Sequence, residues 1–265
     1  LYAQIAYFQM FSTFNSTKKW LVIAGGLFLL FGLIAFTEVR HGQKRVQSVV
    51  VRLNEIDGHK FLTRRDVTGY LTNQGADPIS GRDYSDVDLR RLEQRLLQHG
   101  LVKSCQIARD LEGNLIVTVE QPRPLARLMT YHDGGVVSGQ YVSEEGRVFP
   151  VSMNYTARVP ILTGRYFEKN RSLSNERNRP LLMLLKAVYD DPFWRAQIAE
   201  LSVDAQGEVT MWPQIGKHRI EFGPPVDLEA KLKKLKLFYT KVLPLKGWER
   251  YSRVSVQYRN QIVCE

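Results

Sequence analysis

Residues 101–128 read LVKSCQIARDLEGNLIVTVEQPRPLARL. After Gly113, Leu115, Val117 and Val119 alternate with Ile116 and Thr118, the period of a packed strand. The run Leu101–Asp110 is a second strand. Val102, Ser104, Gln106 and Ala108 lie on one of its faces, and Lys103, Cys105, Ile107 and Arg109 on the other. Leu111, Glu112 and Gly113 turn the 101–110 strand into the one after Gly113, and Pro122 and Pro124 mark a boundary or a strand edge. A hairpin alone does not make a core, so the fold depends on what precedes it.

Upstream, VQSVVVRLNEIDG (46–58) is a mostly β-branched strand ending at the turn pair Asp57-Gly58. FLTRRDVTGYL (61–71) follows as a short helix. Thr63 and Asp66 form the aspartate variant of a capping box, and Val67, Tyr70 and Leu71 share one side. YSDVDLRRLEQRLLQHG (84–100) is a second helix, capped by Ser85 or Asp86 and closed by His99-Gly100. Its apolar stripe is Leu89, Leu92, Leu96 and Leu97. The order strand, helix, helix, strand, strand predicts a small sheet covered on one face by two helices.

Further upstream, WLVIAGGLFLLFGLIAFT (20–37) holds eighteen consecutive uncharged residues between Lys18-Lys19 and Glu38. As a helix it would rise about 27 Å, close to the roughly 30 Å hydrocarbon core of a bilayer. The expectation is a single transmembrane helix in contact with lipid, preceded by a tail (1–19) and followed by a linker (38–45). Arg40, Lys44, Arg45 and Arg52 outnumber the two lysines of the tail, so a positive-inside count favours a cytoplasmic C-terminal part without deciding it.

Downstream of Pro124 the chain turns to short strands: ARLM, a turn at Asp133–Gly135, QYVSEEGRVFPVS with a hairpin turn at Glu144-Glu145-Gly146, and ARVPILTG. A polar loop (168–180) leads into a helix opened by Pro180 and a separate turn at 193–198. IAELSVDAQGEVTMWP and GKHRIEFG give three strands. DLEAKLKKLKLFYTKVL (227–243) is a helix with Asp227 as N-cap and Leu228, Leu232, Leu235, Phe238, Tyr239 and Val242 on one face. RVSVQYRNQIVCE (253–265) closes with one strand and half of another.

The net charge of +10 is uneven: +4 on residues 1–45, none on 46–124 and +6 on 125–265. No zinc finger, phosphate-binding glycine loop or helix-turn-helix accompanies it, so nucleic acid is not the expected partner. Cys105 and Cys264 make no disulfide framework. G-x-S-x-G and H-E-x-x-H are absent, and the five histidines stand singly. Glu144 and Glu145 are adjacent on a turn and point apart, His99 is a last-turn helix residue, and His218 is a solvent-facing strand residue. The expectation is therefore no catalytic residue, no metal, no cofactor and no small-molecule substrate. What remains is an α+β binding module with two domains, 46–124 and 125–265.

The chain resembles the bacterial cell-division family FtsQ/DivIB. The resemblance rests on FLTRRDVTGYL, on the hairpin followed by Glu120, Pro122, Arg123, Pro124, Leu125 and Ala126, and on GQYVSEEGRVFPVS, NYTARVPILTG, AELSVDAQGEVT and the terminal RVSVQY. The wording of 140–159 is similar to the branch found in Bacteroidetes-type bacteria. The resemblance implies a transmembrane helix, a small POTRA-type domain and a larger mixed α/β domain rich in antiparallel strands, the β domain. It also implies a tail in the cytoplasm, both domains in the periplasm, and anchoring in the inner membrane at the division septum. The implied role is a non-enzymatic divisome scaffold. It would link upstream factors, through the POTRA domain, to FtsB- and FtsL-like partners and septal peptidoglycan synthesis. The implied docking site is an edge strand of Arg253, Val254, Ser255, Val256, Gln257 and Tyr258. The rival readings are a POTRA-bearing component of outer-membrane assembly or secretion, and a membrane-anchored cell-wall enzyme.

Overall fold

The computed structural model describes residues 20, 23–32, 45–55, 57–132, 135–170 and 172–265. The expected tail, most of the linker and the centre of the Asp133–Gly135 turn lie outside them. Among the described residues, no helix is long and apolar enough to cross a membrane. Of the expected helix 20–37, residues 21–22 and 33–37 lie outside the described residues. The expected transmembrane helix is corrected accordingly. The single-pass inner-membrane placement and its topology are corrected with it.

The first domain follows the predicted order: β1 (Ser48–Asn54), α1 (Arg64–Leu71), α2 (Leu89–Leu97), β2 (Ser104–Arg109) and β3 (Asn114–Glu120). Its sheet runs β1-β3-β2, with β1 parallel and β2 antiparallel to the central β3. The capping box forms as read, the Thr63 side chain accepting from Asp66 N and the Asp66 carboxylate from Thr63 N. The cap of α2 is Asp88, which accepts from Arg91 N at 3.1 Å. Ser85 and Asp86 do not cap it, because a 3₁₀ turn at Tyr84–Asp86 uses them first. Leu92 and Leu96 close on Leu115, Val117 and Val119 in one apolar cluster, whereas Leu97 is exposed.

The second domain is one nine-stranded sheet of order β12-β11-β10-β9-β8-β7-β4-β5-β6. Its strands are β4 (Pro124–His132), β5 (Gly135–Ser143), β6 (Val148–Pro150), β7 (Ile161–Thr163), β8 (Ile198–Val203), β9 (Val209–Pro213), β10 (Arg219–Gly223), β11 (Arg253–Ser255) and β12 (Val263–Cys264). The β4/β7, β7/β8 and β10/β11 pairs are parallel, the others antiparallel. One face is covered by α4 (Arg179–Asp190), α5 (Pro192–Gln197) and α6 (Leu228–Leu237). They bury Leu184, Leu185, Val188 and Leu235 against Leu128, Val142, Leu162, Leu201 and Met211. The loop expected at 168–180 also holds α3 (Tyr166–Lys169) and a 3₁₀ turn at Glu176–Asn178, with Leu173 and Asn178 buried. Asp227 takes the N-cap position of α6 as read, its carbonyl accepting from Lys231 N at 3.1 Å, but at φ 51, ψ 41 its side chain makes no cap bond. The helix continues through a π stretch at Phe238–Val242 into α7 (Leu243–Lys246).

The domains meet on the other face of the sheet. Val142 points into the helical core and Tyr141 away from it, as alternation along a strand requires. There Phe61, from the chain between β1 and α1, is completely buried against Tyr141, Phe149 and Tyr155, with ring centroids 5.5, 5.7 and 5.5 Å away. The Phe61 carbonyl accepts from Ser152 Oγ at 2.6 Å and Asn154 Nδ2 at 3.2 Å. Beside the cluster, Arg123 pairs with Asp57 (2.8 Å) and Asp190 (3.0 Å) and lies over the Tyr189 ring. Tyr189 Oη bonds both Asp57 (3.2 Å) and the buried His59 (3.1 Å). Apolar packing and charge pairing thus fix the joint together.

Candidate partner-docking edge

The residues 253–258 fall in three environments. Arg253–Ser255 form β11, which pairs in parallel with β10 (Arg219↔Arg253 through Glu221↔Ser255) and antiparallel with β12 (Val254↔Cys264, Ser255↔Val263). The expectation that this strand is itself the free edge is therefore corrected. The short return 263–264 occupies the edge position, and β11 is paired on both sides. Val254, Ser255 and Val256 are fully buried. Gln257 and Tyr258 lie beyond the strand in the connection to β12, and Tyr258 is 47% exposed.

The order of elements explains this placement. Two parallel neighbours need a crossover, and β10 reaches β11 through α6, the π stretch and α7. Leu235, Phe238 and Tyr239 of that crossover are buried on the sheet, as the apolar stripe predicted. The chain then turns back with Asn260 at φ 59, a conformation asparagine tolerates better than most residues. The backbone of Glu265 exchanges bonds with Arg253, N to O at 3.2 and 3.0 Å. Arg253/Glu265 is thus a hydrogen-bonded pair. Alternation in an antiparallel ladder then turns the N–H and C=O of Cys264 outward, away from β11.

The solvent side of the edge carries a charge ladder. Arg253 reaches Glu221 through Nε and Nη2, both at 2.7 Å, and Glu265 through Nη1 at 2.6 Å. These carboxylates hold the Arg253 guanidinium well above its usual pKa, chiefly through the Glu221 bonds, and Arg253 in turn depresses Glu221. Lys234 of α6 closes the other side, its ammonium donating to backbone carbonyls of the connection. Neither the Cys264 edge nor Lys234 was legible beforehand. A two-residue strand has no periodicity to read, and Lys234 sits in a lysine-rich helix where composition singles out none of the lysines.

The single residues weighed for chemistry have structural partners. His99 stacks on Tyr70 with centroids 3.7 Å apart. His218 is fully buried, not solvent-facing, with Nε2 2.9 Å from Tyr239 Oη, and burial lowers its pKa. Cys105 donates to Glu93 O, and burial pushes its thiol up. Glu144 pairs with Lys186 and Glu145 with Lys103, so the two carboxylates serve different contacts. Among the described residues, no group of three or more His, Cys, Asp or Glu side chains lies close enough to hold a metal ion.

Residues 123–265 match the family described as FtsQ/DivIB, C-terminal related, and residues 44–120 match a POTRA-like domain. The chain is also similar to the Protein SGT1 homolog of Bos taurus, 25% identical over 157 residues, which is 57% of this chain and 44% of that protein. The chain thus spans less than half the length of that curated relative.

Proposed function

This chain belongs to the FtsQ/DivIB family, whose members are non-enzymatic divisome scaffolds, and we propose that it takes up an FtsB- and FtsL-like pair by strand addition at β12. The observation that carries the reading is the outward-turned backbone of Cys264, with an exposed aromatic, Tyr258, in the connection that leads into β12. Strand addition needs free N–H and C=O groups on an edge, and a neighbouring aromatic supplies side-chain anchoring. The docking surface then comprises Val263 and Cys264 along the edge, with Gln257 and Tyr258 beside it. Arg253, Val254, Ser255 and Val256 form the layer beneath that holds it flat. The captured pair hands the scaffold on to septal peptidoglycan synthesis, and the POTRA domain faces upstream division factors. We place the chain in the Bacteroidetes-type branch on the wording of 140–159. That segment supplies the pocket for Phe61, which gives it a packing role.

Calorimetric titration of the full chain with the FtsB-like segment of the same organism tests the docking reading. Tyr258→Ala is expected to weaken binding by about 2 kcal/mol or more, the range of a hot-spot aromatic. Cys264→Pro removes the outward donor and leaves the bonds to β11 in place, so it is expected to reduce binding at an unchanged melting temperature. Unaltered affinity for both folded variants would refute docking at this edge.

A further inference from the structure

We propose that Lys234 is a positioning residue: a tethered cation that gathers three backbone carbonyls of the β11–β12 connection and so holds the β12 edge in its docking shape. The proposal rests on the docking reading for its functional consequence and on the geometry around one ammonium for its substance. Lys234 Nζ donates to Val256 O at 2.7 Å, to Tyr258 O, and to Gln261 O at 3.3 Å. An ammonium has three donors, and all three go to a single loop.

Those carbonyls need a partner from outside the ladder. β11 ends at Ser255, and Val256 contributes only its N–H to the neighbouring strand, bonding Glu221 O at 3.1 Å. Val256, Tyr258 and Gln261 lie on both arms of the turn at Asn260, so one cation ties the outgoing arm to the returning one. β12 is two residues long, and so short a ladder holds its place only where something else fixes its approach. The opposite wall of the loop is equally close. A Cβ at Gly223, which sits at φ +72, would fall 2.8 Å from Gln257 Cγ. The connection is therefore wedged between the end of β10 and the Lys234 ammonium.

The other lysines of α6 do different things. Lys231 is buried, bonds Pro224 O at 2.7 Å and lies over Phe222. Lys236 reaches Asp191 at 3.3 Å, and Lys233 is exposed. Lys234 makes no ion pair with a carboxylate among the described residues, so carbonyl dipoles alone balance its charge. Partial desolvation against the loop depresses its pKa.

The test compares Lys234→Met, which keeps the aliphatic stem and removes the donors, with Lys233→Met, which removes an exposed charge from the same helix. Hydrogen exchange on the full chain is expected to quicken about tenfold or more at the amides of 253–265 in Lys234→Met, with the rest of the sheet unchanged. Affinity for the FtsB-like segment should fall with it, while Lys233→Met alters neither. Unchanged exchange at 253–265 overturns the proposal. Faster exchange with undiminished affinity leaves the clamp standing and removes β12 as the docking edge, which separates the two readings. Should Lys234→Met fail to fold, Lys234→Gln, which keeps two donors, is measured against the same outcomes.

Discussion

Replacing Phe61 by alanine tests how the two domains are joined. The phenyl ring belongs to the first domain, and its pocket, lined by Tyr141, Phe149 and Tyr155, belongs to the second. With no exposed surface in the native state, the ring loses its whole transfer energy and leaves a cavity. A Phe→Ala change of that kind costs about 3–5 kcal/mol. The expected loss lies toward the lower figure, because Ser152 and Asn154 bond the Phe61 backbone carbonyl, which the substitution keeps. The Asp57–Arg123–Asp190 contacts also survive. At this size the cost corresponds to a fall of roughly 6–20 °C in melting temperature. Differential scanning calorimetry of the full chain is the assay. The parent is expected to melt in one transition, since both domains share the cluster, and Phe61→Ala in two. A variant that melts in one transition within about 0.5 kcal/mol of the parent would refute the idea that Phe61 couples the domains.

Within the first domain, Leu92 is buried on the sheet, so Leu92→Ala is expected to cost about 2–5 kcal/mol in thermal melts. Arg90→Ala and Arg91→Ala, both on the exposed side of the same helix, should change stability by less than about 0.5 kcal/mol. His59 is buried at the joint, and desolvation lowers its pKa from the ordinary 6.5. The unfolded chain then binds more protons than the folded one between the lowered value and 6.5. Stability is full above pH 6.5 and declines as pH falls through the folded value, and chemical denaturation of His59→Gln should show a flatter profile over that window. Ser255 is fully buried with its Oγ unpartnered, so Ser255→Ala should be neutral or slightly stabilising in the same melts. A loss above about 1 kcal/mol would point to a bond the hydroxyl makes in solution.

The parts of the fold legible in the sequence were those set by local rules. Alternation at Leu115, Val117 and Val119 located β3, the Thr63/Asp66 pair located the start of α1, and the Leu235, Phe238, Tyr239 stripe located the crossover helix. The misreadings have a common origin in competition for the same residues. Ser85 and Asp86 read as caps, but a 3₁₀ turn engages them before the helix begins. Asp227 follows two prolines, and the Val226 N–H closes a tight turn onto Pro224 O. That turn leaves Asp227 left-handed, with its carboxylate out of reach of the helix amides. The uncharged run 20–37 shows the limit of composition: among the described residues no helix is long and apolar enough to cross a membrane. Which strand flanks β11 is a long-range matter, decided by a crossover that no window of local sequence contains. Family resemblance pointed to 253–258 as an edge strand, whereas the structure places 263–264 at the edge of the sheet.

The crossover also sets a timetable. β11 cannot take its place beside β10 until the helices between them have packed, and β12 cannot form until β11 is in place. Pairing partners separated by so many residues form late, because the entropy of closing the loop is lost before any contact offsets it. During synthesis the β12 edge is consequently among the last features of this sheet to exist. Under the docking proposed at β12, a half-made chain offers no such edge, and recruitment is conditional on a finished fold. On that proposal the surface acts as a certificate of completion, shown to a partner only after the rest of the second domain has been built.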